Sequence, residues 1–197
     1  MSKGVSMSWL SKIFGRNKIE QTAKIVVLGS SGSGKTTLIR FLETGEPILE
    51  DPRTTLGIDI RKSPITIDGW VLSAIDVGGQ DLYRESLWAL GVSQADAVIY
   101  VLDGIVKPST DSTQFELSKF SFDYMLTIVE KDVPLLLLVN KQDLTESKPI
   151  SVQEAIGLYD MSNLMGRSFN VVGTSAKYGD GVESAVMWLI EKIAEKR

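Results

Sequence analysis

The sequence predicts an α/β fold in which helices cover both faces of a mostly parallel sheet. Short apolar runs that fit buried strands alternate with longer segments of helical periodicity, as in strand–helix–strand units. A glycine-rich turn follows the first apolar run, and the longest run, Pro134 to Val139, is far too short to span a bilayer. We therefore expect a single domain with a six-stranded sheet and about five helices in the 197 residues.

The bounds of these elements follow from hydrophobic periodicity and from turn residues. The predicted strands are Lys24–Leu28, Gly57–Ile67, Trp70–Asp76, Ala97–Leu102, Pro134–Asn140 and Phe169–Thr174. Asp68-Gly69 joins the second strand to the third and is typical of two-residue hairpins, so one antiparallel edge strand is expected. The helices with predicted bounds are Lys35–Glu43, Gln114–Glu130, Val152–Tyr159 and Val182–Glu195.

The composition excludes several kinds of chemistry. With no cysteine and no histidine, the chain cannot form disulfides, bind zinc through cysteine or use a histidine general base. Any metal must be held by oxygen, which favours Mg²⁺ or Ca²⁺. The net charge of −4 argues against nucleic acid as a partner. Residues 1–18 nevertheless carry four basic side chains and no acidic one, so this segment differs in charge from the rest.

Residues 29–36, GSSGSGKT, match the pattern GxxxxGK[ST] at a junction between a strand and a helix. Glycines allow consecutive N–H groups to turn toward an anion, and the helix N-terminus adds its dipole. Lys35 would supply a cation to the β- and γ-phosphates, and the Thr36 hydroxyl would bind Mg²⁺. The alternative is a flexible Gly/Ser turn, against which the complete pattern argues. The predicted nucleotide contacts are Gly29, Ser31, Gly32, Ser33, Gly34, Lys35, Thr36 and Thr37.

The tetrapeptide NKQD, residues 140–143, follows a buried strand and favours guanine over adenine. The Asp143 carboxylate can accept the ring N–H and the exocyclic amine of guanine, a donor pair that adenine lacks. Asn140 could brace the pocket, and the Lys141 stem could cover the base. A polar turn after the strand is the alternative. A second base loop follows the last strand, where the Ala176 N–H could reach the guanine oxygen. Its residues are Ser175, Ala176 and Lys177.

Residues 76–80, DVGGQ, provide the groups that hydrolysis requires. Asp76 can hold Mg²⁺ through water, the Gly79 N–H can meet the γ-phosphate, and Gln80 can orient the attacking water. Phosphoryl transfer relies on positioning and charge stabilisation, so neither histidine nor cysteine is needed. An ordinary Asp/Gly turn after a strand is the alternative.

A threonine that senses the γ-phosphate is expected in the preceding loop. We favour Thr55, with Thr54 or a plain threonine at a strand start as alternatives. The predicted catalytic residues are Gln80, Lys35 and Thr55, and the predicted metal ligands are Thr36, Thr55 and Asp76.

These motifs, in this order and spacing, resemble those of the small GTPases over about residues 20–195. DVGGQ followed by Asp81, with NKQD later, is most similar to the Arf and Arl branch. The resemblance implies a P-loop NTPase G domain at 19–197, with switch I at about 45–57, an interswitch hairpin at 58–75 and switch II at 76–91. It also implies GTP, GDP and Mg²⁺ as ligands, hydrolysis of GTP to GDP, and an exchange factor, a GTPase-activating protein and effectors as partners.

In Arf proteins the interswitch hairpin slides on GTP binding and expels an N-terminal amphipathic helix, which enters a membrane. A candidate lies at residues 5–14, within the segment 1–18. Its apolar stripe is Val5, Trp9 and Ile13, flanked by Met7, Leu10 and Phe14 and opposed by Ser8, Ser11 and Lys12. We expect a cytoplasmic protein that binds an anionic membrane surface peripherally in its GTP state. A permanently docked helix or a frayed tail is the alternative. Position 2 is Ser, so the N-myristoylation signal is absent.

Two other functions compete with a membrane switch. One is a scaffold that binds guanine nucleotide, hydrolyses little and has no membrane role. The other is a P-loop kinase, but the sequence has no arginine-rich lid, and NKQD would have no role in such an enzyme.

Overall fold

A computed structural model describes residues 21–49, 58–60, 65–67, 70–77, 84–164 and 166–197. The strands are β1 Gln21–Leu28, β2 Ile58–Ile60, β3 Ile65–Ile67, β4 Trp70–Val77, β5 Ala97–Asp103, β6 Leu135–Asn140 and β7 Phe169–Gly173. The α-helices are α1 Lys35–Thr44, α2 Arg84–Val92, α3 Ser112–Ile128, α4 Val152–Leu158 and α5 Val182–Glu195. Two short 3₁₀ helices cover Thr145–Ser147 and Met161–Leu164.

The strands form one sheet in the order β2-β4-β1-β5-β6-β7, with β3 also paired to β4. Strands β4, β1, β5, β6 and β7 are parallel, as the alternation of strands and helices predicted. Both β2 and β3 run antiparallel to β4, and Ile67 pairs with Trp70 across the predicted hairpin. The predicted α/β fold is therefore confirmed.

The predicted six-stranded sheet differs from the observed sheet in one detail. The run predicted as one edge strand, Gly57–Ile67, contributes two short strands, which gives a seven-stranded sheet in the described part of the chain. The reason is the register against β4. Ile65 pairs with Leu72, and a continuous ladder would place Ile60 opposite Val77, but Ile60 pairs with Ile75. Because the pairing shifts between the two halves, one uninterrupted strand cannot form.

Side chains that alternate along each strand build a core on each face of the sheet. On β1, Ile25 and Val27 point into a cluster shared with α1 and α5. Val26 and Leu28 point into a second cluster shared with α2, α3 and α4. Strands β5 and β6 are buried along their whole length, as parallel strands covered on both faces should be.

Side-chain caps fix the starts of two helices, α3 and α4. The Asp111 carboxylate accepts a hydrogen bond of 2.9 Å from the Gln114 N–H, so α3 begins at Ser112, before the predicted Gln114. Ser151 and Glu154 form a capping box at the start of α4. Helix α5 has the predicted bounds, whereas α2 had no predicted bounds. Within the described residues, no helix combines the length and the apolar character needed to cross a membrane.

Candidate functional site

The candidate site lies where the parallel strands end at their carboxyl termini. In open α/β sheets this is the edge at which ligands bind. The loop 29–34 leaves β1, residues 140–143 complete and follow β6, and residues 174–177 follow β7. The structure thus brings three of the predicted segments to one edge of the sheet.

The glycines of the loop 29–34 are required by its backbone. Gly29, Gly32 and Gly34 have positive φ angles of 144°, 75° and 101°. A Cβ atom on Gly29 would lie 2.3 Å from the Val101 carbonyl oxygen, and one on Gly34 would lie 2.3 Å from Asn140 Nδ2. The loop is therefore packed directly against β5 and against the Asn140 side chain, where no larger residue fits.

The Lys35 ammonium group is held within this loop. Its Nζ atom donates hydrogen bonds of 2.9 Å to the carbonyl oxygens of Gly29 and Ser30, and the residue is only 6% exposed. The predicted cation thus lies against the loop that is expected to bind phosphate. Ser30 Oγ and Ser33 Oγ are also buried, with no hydrogen-bond partner among the described residues. Buried hydroxyls are normally satisfied, so this loop has hydrogen-bonding capacity that fits a bound polyphosphate.

The structure describes some of the other residues that were predicted to bind phosphate or Mg²⁺. Ser31 is exposed at the loop tip, and Thr36 and Thr37 are half-buried in the first turn of α1. Asp76 lies on β4 opposite Val27 of β1, so its backbone is next to the strand that leads into the loop. Thr55, Gly79 and Gln80 lie outside the described residues, as do Thr54 and the segment 1–18.

Asn140 connects the loop 29–34 to the loop after β7. Its Nδ2 atom donates to the Ser33 carbonyl oxygen, and its Oδ1 atom accepts from the Ala176 N–H, both at 2.8 Å. The residue is 3% exposed. The Ala176 N–H, predicted to reach the guanine oxygen, thus has a protein partner here, and its contact with a base stays a prediction.

The side chain of Lys141 has a partner that the sequence analysis missed. Lys141 Nζ lies 2.6 Å from Asp103 Oδ2, and Asp103 is 8% exposed at the end of β5. The other carboxylate oxygen, Oδ1, accepts from the Ile105 N–H at 3.1 Å. Lys141 also has a positive φ of 67°, which is uncommon for a residue other than glycine. The only sequence signal was an acidic residue ending the apolar strand next to NKQD.

Gln142 and Asp143 face different surroundings. Gln142 Nε2 donates to the Ile150 carbonyl oxygen at 3.0 Å, and the Gln142 N–H donates to the Thr174 carbonyl oxygen at 3.0 Å. These bonds fasten the segment to its neighbours. Asp143 is half-buried, and no group in the described part of the chain hydrogen-bonds its carboxylate. Of the two, Asp143 therefore has the acceptors to offer a ligand.

The loop after β7 is fixed by its own hydrogen bonds. Ser175 Oγ accepts from the Tyr178 N–H at 3.2 Å, and the Lys177 carbonyl oxygen accepts from the Ile48 N–H at 2.9 Å. Ser175 and Ala176 are buried, and the Lys177 ammonium lies 5.5 Å from the centre of the Tyr178 ring. The second predicted base loop is thus a rigid part of the same edge.

Comparison with known proteins agrees with this architecture. The model of the ADP-ribosylation factor family matches residues 7–193. ADP-ribosylation factor-like protein 3 of Chlamydomonas reinhardtii is 32% identical over 187 residues, covering 95% of this chain and 99% of that protein. ADP-ribosylation factor-like protein 1 of Drosophila melanogaster is 33% identical over 176 residues, covering 88% of this chain and 91% of that protein.

A solved structure shows the same fold with a nucleotide analogue. It is the Arl6 BBS3 small GTPase from Trypanosoma brucei with bound GppNp, which superposes with a TM-score of 0.75 at 25% identity. The match covers 90% of this chain and 100% of that one.

Proposed function

This chain belongs to the ADP-ribosylation factor family of small GTPases, and we propose that its GTP cycle controls attachment to a membrane surface through residues 5–14. As a member of the family it binds GTP and GDP with Mg²⁺, hydrolyses GTP, and acts as a molecular switch. The proposal concerns the output of that switch and the residues that operate it.

We assign the phosphates to the loop 29–34 and to the first turn of α1. Lys35 places its positive charge against the β- and γ-phosphates, where charge develops during transfer. Thr36, Thr55 and Asp76 would hold Mg²⁺, Asp76 through water, and the ion would neutralise charge on the phosphate oxygens. Gln80 orients the water for in-line attack.

We assign the base to the loops 140–143 and 175–177. Asp143 accepts the two guanine donors, and its carboxylate has no hydrogen-bond partner among the described residues. Asn140 holds the loop 175–177 through its bond from the Ala176 N–H, and it holds the loop 29–34 through its bond to the Ser33 carbonyl oxygen. The Lys141 stem covers one face of the base. Because such a pocket is already ordered, nucleotide binding costs little conformational entropy.

The observation that carries the phosphate assignment is the Lys35 ammonium lying across the Gly29 and Ser30 carbonyl oxygens. A lysine that is 6% exposed, with its charge held inside a glycine loop, is suited to bind a polyphosphate. We expect Lys35→Ala to lower GDP affinity by a factor of about 100 or more, measured by fluorescence titration. Lys192→Ala is the control, because Lys192 forms an ion pair with the exposed Glu195 on α5, away from the loop 29–34. Equal affinity in the two variants would refute the assignment.

Single-turnover hydrolysis separates the switch from the scaffold alternative. We expect slow GTP turnover in the wild-type chain and a loss of roughly tenfold or more in Gln80→Leu. No turnover over several hours in the wild type, with guanine nucleotide still bound, would favour the scaffold.

The membrane proposal rests on the amphipathic pattern of residues 5–14 and on the basic charge of residues 1–18. We propose that this segment is distinct from the G domain at 19–197, in which about 45–57, 58–75 and 76–91 form switch I, the interswitch and switch II. Regulators and effectors would bind the switches, and the protein would move between cytoplasm and membrane surface.

Liposome flotation of the full chain tests this proposal. The chain is loaded with GDP or with a non-hydrolysable GTP analogue and mixed with anionic vesicles. We expect flotation of the GTP form alone, lost in Trp9→Ser on the apolar stripe and kept in Ser8→Ala on the opposite face. Flotation of both nucleotide forms, or of neither, would show that residues 5–14 are not a nucleotide-controlled anchor.

A further inference from the structure

We propose that Asp103 is a positioning residue for the nucleotide base, because it holds the Lys141 ammonium and so fixes the side chain that borders the base. With this contact in place, we expect the nucleotide to be released more slowly than from a variant that lacks it. This inference rests on the proposed base site at residues 140–143, and it adds a residue from a different strand to that site.

The position of Asp103 in the sheet brings it to the base loop. Asp103 ends β5 and pairs in register with Asn140, the last residue of β6. The Gly104 N–H donates to the Asn140 carbonyl oxygen at 3.0 Å, so the two strand ends are joined beyond the ladder. A Cβ on Gly104 would lie 2.4 Å from that oxygen, so the approach is as close as the backbone allows. The carboxylate is therefore fixed relative to the residue that precedes Lys141.

Both oxygens of the Asp103 carboxylate are used. Oδ1 accepts from the Ile105 N–H at 3.1 Å, which orients the group from its own loop. Oδ2 accepts from Lys141 Nζ at 2.6 Å, which is short and charge-assisted. With one oxygen fixed to the backbone, the other presents a defined position to the ammonium.

Lys141 is constrained along its whole length as a result. Its backbone has a left-handed φ of 67°, and the flanking residues are fastened by Asn140 Nδ2 to Ser33 and by the Gln142 N–H to Thr174. Asp103 then fixes the ammonium, so the four-carbon stem between the two ends has little rotational freedom. A stem ordered before binding loses less conformational entropy when a base packs against it.

Burial distinguishes this ion pair from an ordinary surface pair. The Lys196–Asp132 pair is also 2.6 Å long, but its side chains are 44% and 63% exposed. The corresponding values for Lys141 and Asp103 are 25% and 10%. Exposed pairs are screened by water and salt, whereas a mostly buried pair holds its geometry. The two pairs therefore form a matched comparison within one chain.

The test is the dissociation rate of fluorescent N-methylanthraniloyl-GDP from the full chain with Mg²⁺ present. Asp103→Asn keeps an oxygen for the Ile105 N–H and removes the charge that holds Lys141. We expect release to be roughly three- to tenfold faster than from the wild type. A factor of this size corresponds to the loss of part of the free energy of a charge-assisted hydrogen bond. Lys141→Met should accelerate release similarly, and the double variant should be no faster than Lys141→Met alone. Asp132→Asn, the control, should release at the wild-type rate.

A second readout excludes general loosening of the site. Removing Mg²⁺ with EDTA should accelerate release by the same factor in Asp103→Asn as in the wild type, because the phosphate side is intact. The inference would be overturned if Asp103→Asn released the nucleotide at the wild-type rate, or if the two substitutions accelerated release independently in the double variant. It would also be overturned if EDTA accelerated release by a different factor in Asp103→Asn than in the wild type. If Asp103→Asn does not fold, wild-type release from Lys141→Met overturns it. Failure of the wild-type chain to bind guanine nucleotide would instead reject the site itself.

Discussion

Asn140 and Ser33 are 107 positions apart in the chain and are joined by a buried hydrogen bond of 2.8 Å from Asn140 Nδ2 to the Ser33 carbonyl oxygen. The other end of the same amide accepts from the Ala176 N–H. One side chain thus sets the distance between the loop assigned to phosphate and the loop assigned to the base.

Asn140→Ala should remove both of these bonds and leave a buried N–H and a buried carbonyl oxygen unsatisfied. We expect the free energy of unfolding to fall by about 2–4 kcal/mol and GDP release to accelerate, measured by urea unfolding and by fluorescence. Asn170→Ala is the control, because among the described residues the Asn170 side chain accepts only from the adjacent Val171 N–H. A loss of stability no larger than that of the control would contradict the bracing role.

Gly179→Ala should destabilise the fold near the second base loop. Gly179 has a positive φ of 86°, and an added Cβ would lie 1.9 Å from the Phe41 ring on α1. We expect a loss of about 2–4 kcal/mol from backbone strain and overpacking, measured by urea unfolding.

Gly157→Ala is the matched control for that substitution. Nothing lies within 4 Å of a Cβ built on Gly157, which is on α4. Because alanine favours a helix over glycine, the variant should be equally stable or up to about 1 kcal/mol more stable. Equal losses in the two variants would show that the contact with Phe41 is not the cause.

Asp143→Asn should change which base the protein prefers. The amide offers one acceptor and one donor in place of two acceptors, so it matches xanthine at the position where guanine has its amine. We expect GTP affinity to fall by roughly 100-fold and xanthosine triphosphate to compete better, measured by displacement of a fluorescent nucleotide. Asp123→Asn, an exposed change on α3, is the control. An unchanged preference for GTP in Asp143→Asn would refute the assignment.

Stability should fall at alkaline pH because of Tyr159. Burial raises the pKa of the Tyr159 hydroxyl; the 2.8 Å hydrogen bond with Ser118 Oγ opposes this shift, the negative charge of Asp103 adds to it, and the net shift is upward. The folded state therefore holds the proton more tightly than the unfolded state, where the pKa is about 10. This contribution is fully present below about pH 10 and is lost as the pH rises through the higher folded value.

The Tyr159→Phe variant isolates that effect. It should lose about 1 kcal/mol at neutral pH, because Ser118 loses its partner, and should show a smaller decline in stability above pH 10. Urea unfolding at pH 7, 9 and 10.5 measures both effects. An identical alkaline decline in the wild type and the variant would assign the effect to another group.

Much of the architecture was predictable because its signals are local. Apolar runs gave the parallel strands, the Asp-Gly pair gave the antiparallel pairing of Ile67 with Trp70, and periodicity gave the bounds of α5. The bounds of elements that depend on pairing with neighbouring strands were predicted less accurately. The edge run was predicted as one strand, since a shift of register against β4 has no signature in its own sequence.

The sequence by itself determined which chemistry is available. The complete GxxxxGK[ST] pattern and NKQD predict phosphate and guanine recognition, and the lack of cysteine and histidine excludes the chemistry of those two side chains. Tertiary structure alone decided how those groups hold one another. Asn140 reaches Ser33 and Ala176, and Asp103 reaches Lys141, because the carboxyl ends of the parallel strands β1, β5, β6 and β7 lie along one edge of the sheet. A hydrogen bond depends on distances of about 3 Å between folded segments, and spacing along the chain does not encode those distances.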